Sequence, residues 1–432
     1  MRTTSPPGPP ATEEPPPEAP SGRVPVARRA LGPAALMAAL FAVALLVYLA
    51  VGAIVLRRLA LTGDEPWYVA QGYALLHYGS PNLAPIIHDP RLNQLLLHNV
   101  GAITAHVRDY RGNGALLLPN LPGYGAFVGV FYLLAGRWGI VALQAVLSAL
   151  AVVLIFAEAR RVYSSRAAGL FAALAFLTAL PAMLYTAQIF PSAIAAFLTF
   201  AGFVLVGRVP TLLAGGSPRR LGLAVAALAA TVALLPWLHF KYALVSVALV
   251  GLLLLRLLPW LRARERGVRA AWYIAGSAAG AAGATFALIA LYCHHFFGTW
   301  LPQYSAATGG ATDLAHPDFA RGFALLTDIF LSQQSGLLPW VPLTLLAIPG
   351  VVLLWRRSAS RAFDLVICVV AQLAGFASVL FTPAIYQGYA LPARFTVECV
   401  PFVAFAAGGA FAAGAPALRR WWARARARIQ PR

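Results

Sequence analysis

Charge is scarce in this chain: only 11% of its 432 residues are charged and 60% are apolar, against roughly 25% charged in a soluble domain. So little charge excludes a water-solvated surface for a chain of this size, and makes lipid its main solvent. Cysteine is nearly missing as well. Cys293, Cys368 and Cys399 form no CxxC pair and sit in or near separate apolar runs, so neither a disulfide framework nor a thiolate zinc site is indicated. Acidic residues number 14 against 33 basic ones, and a single lysine, Lys241, stands among the arginines. A net charge of +19 would suit nucleic acid if it were gathered on one folded face. Here the arginines are dispersed between apolar runs, so no nucleic-acid partner is expected. No glycine-rich phosphate loop or nucleotide fingerprint occurs either.

What the chain does have is a series of apolar runs, each of about 17 to 24 residues, long enough to cross a hydrocarbon core of roughly 30 Å as a helix. A membrane barrel would need short alternating strands instead. The expected fold class is all-α, a polytopic integral membrane protein of about ten transmembrane helices with interfacial or re-entrant helices in the first outer loop. The spans are expected near 33–56, 138–158, 167–185, 190–207, 220–237, 242–258, 271–292, 337–355, 363–381 and 395–415. Residues 121–135 are too short and glycine-broken to count as a crossing, and are read as a re-entrant or interfacial helix. With the N-terminus inside, 24 of the 33 basic residues fall on one side. That bias makes this side cytoplasmic. Residues 1–30 read as a disordered Pro-rich cytoplasmic tail, 31–418 as one transmembrane domain and 419–432 as a basic cytoplasmic tail. The Ala- and Arg-rich composition points to a bacterial cytoplasmic membrane.

Under this topology two outer loops stand out, about 57–137 and 293–336. All eight histidines and most carboxylates lie in or beside outer segments, whereas the inner side carries arginines and little else. Chemistry is therefore expected outside. Leu61-Thr-Gly-Asp-Glu-Pro-Trp-Tyr68 follows the first span directly and sets two adjacent carboxylates, Asp64 and Glu65, at a helix start. One reading is capping: Thr62, Asp64 and Glu65 would complement the positive end of that helix. Neighbouring helix positions diverge by about 100°, so the two acids do not converge on one atom as a glycosidase pair must.

In the form G-D-E-P-x-Y after a first helix, this motif resembles that of the GT-C membrane glycosyltransferases, which include protein O-mannosyltransferases and the aminoarabinose transferase acting on lipid A. Pro119-Asn-Leu-Pro-Gly-Tyr124, Ser335-Gly-Leu-Leu-Pro-Trp-Val-Pro342 and Ala393-Arg-Phe395 with Pro401 are similar to further segments of that family. The resemblance implies a polyprenyl-phosphate sugar as donor, a lipid, glycan or protein as acceptor, and transfer on the outer face. It implies Asp64 as general base, with Glu65 orienting it or binding acceptor or metal. A divalent cation, Mg or Mn, at Asp64 fits some family members and not others. A histidine zinc site is not expected: there is no HExxH, and His294 and His295 are adjacent. The leaving phosphate needs cations, for which Arg394, Lys241, His239 and, less directly, Arg57 or Arg58 are the candidates.

Each candidate also has a plainer reading. On that reading Lys241 snorkels to the headgroups, Arg394 forms an i to i+4 pair with Glu398, and Arg57 and Arg58 are interfacial anchors. Trp67, Tyr68 and Tyr124 are candidate substrate contacts, although an interfacial belt would also place Trp67, Tyr68, Tyr73, Trp300 and Tyr304 here. The Gly- and Ala-rich stretch 303–336 reads as a lid. A transporter or flippase of lipid-linked glycans, or an envelope glycan polymerase or ligase, are the alternative functions. A transporter would place ionisable groups at mid-bilayer, which the pattern does not do.

Overall fold

The computed structural model describes residues 32–61, 63–97, 107–215, 217–262, 267–301, 324, 327–333, 336–380 and 396–429. These residues fold as helices, and no β-strand occurs among them; the only pairing outside helices is one antiparallel bridge between Arg108 and Leu117. The principal helices are α1 (Pro33–Arg58), α2 (Glu65–Tyr78), α3 (Ala84–His88), α4 (Pro90–Leu97), α5 (Pro122–Tyr163), α6 (Arg166–Leu177), α7 (Leu180–Ala187) and α8 (Ser192–Gly215). There follow α9 (Pro218–Leu238), α10 (Ala243–Arg262), α11 (Val268–Phe297), α12 (Leu337–Trp340), α13 (Thr344–Arg357), α14 (Ala359–Leu380) and α15 (Val400–Ile429). Short 3₁₀ turns, Phe240–Tyr242 and Val397–Cys399, lead into α10 and α15.

Seven of these segments are long and apolar enough to cross a membrane, and the pair α6 and α7, bent by 53°, makes an eighth if taken as one span. These are the dimensions of an all-α polytopic membrane protein. Large apolar side chains exposed on α1 (Leu46, Ile54) and α11 (Trp272, Tyr273, Leu288, Leu291) would be an aggregation hazard in water, and suit a lipid-facing surface. Among the most enclosed helices are α8 and the start of α15. Phe200 and Phe203 of α8 meet Phe402 and Phe405 of α15 edge to face, with centroids 5.4 to 6.0 Å apart.

Three of the expected ten spans are not among the seven: those at 167–185, at 337–355 and at 363–381, the last of which corresponds to the 22-residue α14. The run at 167–185 is broken because helix geometry stops at Thr178 and restarts with Pro181 in the first turn of α7. The run at 337–355 is divided into one turn, α12, and the 14-residue α13. Fourteen residues rise about 21 Å, short of a hydrocarbon core. The short helix at 121–135 is present, but it is not a separate element: it continues into the span expected at 138–158 as the 42-residue α5. The two legs part at Ala135 and Gly136, where Gly136 takes φ 57 and ψ −146, a conformation that only glycine holds without strain.

The first leg of α5 crosses α2 at backbone contact. A Cβ on Gly129 would lie 2.6 Å from the Gly72 carbonyl oxygen, so the Gly125-x-x-x-Gly129 pattern permits a crossing that alanine would not. This contact seats α2, and with it the acidic motif, on the bundle.

Candidate active site

Polar residues collect at two ends of the bundle, with apolar helix between them. Gln144 and Glu158 on α5, Ser192 and Arg208 on α8, and Tyr242 (immediately before α10) and Arg256 are each 14 to 16 residues apart. At 1.5 Å per residue the two ends are about 21 to 24 Å apart, somewhat less than a hydrocarbon core of roughly 30 Å.

At the first end, Asp64 occupies the N-cap position of α2 and is half-buried. Its side chain makes no capping bond to the helix; the backbone carbonyl instead accepts from the Trp67 and Tyr68 N–H groups, at 3.1 and 3.2 Å. Capping is therefore not what the Asp64 carboxylate does for α2. Thr62 lies outside the described residues. Glu65, one residue on, is only 1% exposed. Its Oε1 accepts from the Ile189 N–H at 2.7 Å, which holds the corner between α7 and α8. The adjacent acids therefore sit in different surroundings, as expected from their helix positions.

Trp67 and Tyr68 are both buried to 2% and belong neither to a lipid-facing belt nor to an open sugar platform. Tyr68 packs edge to face on Tyr124 with centroids 4.8 Å apart, and its hydroxyl accepts from Asn120 Nδ2 at 3.4 Å. Tyr124, fully buried, accepts from Gln144 Nε2 at 3.0 Å, and the same amide reaches the Phe190 carbonyl at 3.3 Å. These aromatics are the packed wall behind the acidic motif. Tyr73 stacks on His77 with centroids 3.8 Å apart, and Trp300 on His294 at 4.3 Å.

Lys241 does not snorkel. Its side chain is 9% exposed and its Nζ lies 3.1 Å from Glu398 Oε1. The Tyr242 hydroxyl donates to the same carboxylate oxygen, takes a hydrogen bond from Ser192 and lies under the Lys241 ammonium, 4.8 Å from Nζ to the ring centre. Glu398 is wholly buried, and its Oε2 has no hydrogen-bond partner among the described residues. His239 caps the 3₁₀ turn, its Nδ1 accepting the Lys241 N–H at 3.2 Å. This bond and the close approach of Gly375 to the Lys241 carbonyl fix the lysine's backbone. Arg394 lies outside the described residues, as do most of 303–336 and so the expected lid. Arg57 and Arg58 are exposed in the last turn of α1, which suits interfacial anchors that complement the helix dipole.

A chain of contacts thus joins the motif to the single lysine: Glu65 to Ile189, then Ser192 to Tyr242, Tyr242 to Glu398 and Glu398 to Lys241. Comparison with known proteins finds no matching family model and no curated protein of significant sequence similarity. The functional reading rests on the motifs and on this geometry. Among the described residues no three of His, Cys, Asp and Glu converge to hold a metal ion, and Glu65 is engaged by a backbone N–H, so the described residues do not build a metal cage at the acidic pair.

Sequence reasoning did not find Glu398 as the partner of Lys241, nor the supporting Ser192 and Gln144. Helical spacing pointed Glu398 at Arg394 instead. The available signal was that a buried lysine needs a carboxylate, and only Glu398 offers one within an apolar run at the same end. Beside this cluster, α13, α14 and α15 enclose an apolar cavity of about 230 Å³, lined by Leu337, Val351, Leu365, Val369, Cys399 and Phe402 among others.

Proposed function

We propose that this chain is an inverting membrane glycosyltransferase that takes a sugar from a polyprenyl-phosphate donor on the outer face of a cytoplasmic membrane. Asp64 removes the proton from an acceptor hydroxyl as its oxygen attacks the anomeric carbon. The bond from that carbon to the phosphate oxygen breaks, and polyprenyl phosphate leaves as an anion. Lys241 and His239, with Arg394, supply positive charge and donors for that phosphate. The observation that carries the reading is the contact chain from the acidic motif to Lys241, which sets a half-buried carboxylate and a buried ammonium at one end of the bundle. The apolar cavity beside Glu398 adds a surface suited to a hydrocarbon chain.

Ten crossings complete the topology if the bent pair, α12 with α13, and α14 each count as a span, with both termini on the arginine-rich, cytoplasmic side. The transporter alternative wants ionisable residues at mid-bilayer, whereas the buried ones described lie at the two ends. The test is release of free polyprenyl phosphate from a panel of polyprenyl-phosphate sugars by the purified chain with an acceptor extract. Asp64→Asn should fold normally and lose about 10²- to 10⁴-fold in rate. Equal activity of that variant, or no turnover of any donor, returns the chain to the transporter or ligase readings.

A further inference from the structure

The opposite end of the bundle was expected to carry arginines as topology signals and little else, but it holds an ordered ionic assembly. Glu158, on α5 and fully buried, receives Arg361 at 2.7 Å and Arg161 at 2.6 Å on Oε1, and Arg161 Nε at 3.0 Å and Arg208 at 3.6 Å on Oε2. Asp364, also fully buried, pairs with Arg256 at 2.6 Å and Arg361 at 3.3 Å. The Arg361 guanidinium lies 3.8 Å from the centre of the Phe203 ring and donates to the Phe203 carbonyl at 3.0 Å. It occupies space that a Cβ on Gly207 would fill. Arg361 is thus the inner cation, bridging two carboxylates across α5, α8 and α14.

Around it stand three arginines that are not enclosed: the side chains of Arg161, Arg208 and Arg256 are 40%, 41% and 25% exposed. Four guanidinium groups face two carboxylates among the described residues, so two positive charges are left without a counter-charge. Arg208 is the least committed. Its 3.6 Å approach to Glu158 is beyond hydrogen-bond length, and its buried Nε has no partner among the described residues. Leu255, next to Arg256 on α10, and Trp355, in the last turn of α13, are more than half exposed large apolar side chains at this end of the bundle.

We propose that Arg161, Arg208 and Arg256 form a binding site for a phosphate group, that of an anionic phospholipid headgroup at the arginine-rich edge of the membrane. Basic pockets between helices suit such headgroups, because a guanidinium meets phosphate with two parallel donors. The buried Glu158–Arg361–Asp364 core holds the three outer cations in place before the lipid arrives, so little side-chain entropy is lost on binding. Apolar surface beside the ring gives the acyl chains their place, which favours a lipid over a soluble phosphate ester as the source of the anion.

The test uses the full chain in detergent. Retention of phosphatidylglycerol is measured by native mass spectrometry, with phosphatidylcholine and sn-glycerol 3-phosphate as separate arms. The wild type should retain phosphatidylglycerol over phosphatidylcholine. Arg208→Gln should weaken retention about fivefold and the Arg161→Gln/Arg208→Gln double variant more, since each arginine contributes at the strength of a surface cation on an anionic headgroup. Arg219→Gln, at an exposed arginine outside the ring, should change nothing. Each variant's thermal midpoint checks the fold, and Arg208→Lys, which keeps the charge, should recover part of the retention. Strong competition by glycerol phosphate would confirm the phosphate site and move its ligand from lipid to water. Equal retention of both lipids, or ring variants indistinguishable from Arg219→Gln, would overturn the proposal and leave the assembly a structural clamp.

Discussion

Glu65 and Lys241 both place ionisable side chains in buried surroundings, yet they should respond differently to mutation. Glu65 accepts from the Ile189 N–H, and Glu65→Gln keeps an acceptor oxygen for that bond, so it should be better tolerated than Glu65→Ala. Glu65→Ala leaves the Ile189 N–H unpaired and should cost about 1–3 kcal/mol, read as a lower thermal midpoint. Lys241→Met strands Glu398 as a lone buried carboxylate and should cost about 3–5 kcal/mol. Adding Glu398→Gln removes that charge and should recover most of the loss. A double-mutant cycle on thermal stability measures the coupling, and additive effects would show that the pair does not interact. The motif at 61–68 was legible in the sequence because its residues are adjacent. The Lys241–Glu398 pair was not, because nothing in local spacing connects positions on different helices.

At the scale of elements, composition made the apolar helices legible and left their interruptions hidden. Hydropathy averages over a window, whereas the break in α5 depends on one backbone conformation at Gly136. Gly136→Ala should strain that turn by about 1–3 kcal/mol, and Gly129→Ala should push α2 away from α5 at similar cost. Displacement of α2 moves Asp64, so the Gly129 variant should also lose activity, whereas a stability effect without an activity effect would count against α2 as the carrier of the site. The 107–117 loop has its own lock. The Asp109 carboxylate accepts from the Gly114 N–H at 2.6 Å and from those of Arg111 and Asn113 at 3.1 Å. These bonds, with that from Gly114 foremost, hold its pKa below the ordinary carboxylate value. A lowered folded pKa contributes stability that is complete above the unfolded value, about 3.9, and is lost as pH falls through the folded one. Protease protection of the 109–114 loop should therefore persist at neutral pH and fade below about pH 4, with Asp109→Asn removing that dependence. Beside it, burial raises the Tyr110 phenol to about 12 against the lowering effect of Arg108, well above the pH range of this test.

For the whole molecule, the arrangement is an apolar middle between two polar ends, which was legible in the segregation of arginines from histidines along the chain. What composition could not reveal is that the arginine-rich end is organised around Glu158 and Asp364. Charge counting treats arginines as signals and does not report which of them are buried against carboxylates. The three native cysteines are buried and free, so single introduced thiols report location cleanly. His77→Cys and Arg219→Cys, at exposed positions near opposite ends, should label from opposite sides of sealed vesicles with a membrane-impermeant maleimide. Labelling from the same side would refute the two-ended arrangement.

Both buried ion assemblies also impose a schedule on synthesis. Arg361 lies 203 residues after Glu158, and Glu398 comes 156 residues after Tyr242. At about 5–20 residues per second, Glu158 emerges roughly 10 to 40 s before its inner cation exists. Through that interval Glu158 has Arg161 beside it but lacks the inner cation that ties it to Asp364. The early helices can therefore be inserted but not locked together, and the closed bundle can form only once the last third of the chain has been made.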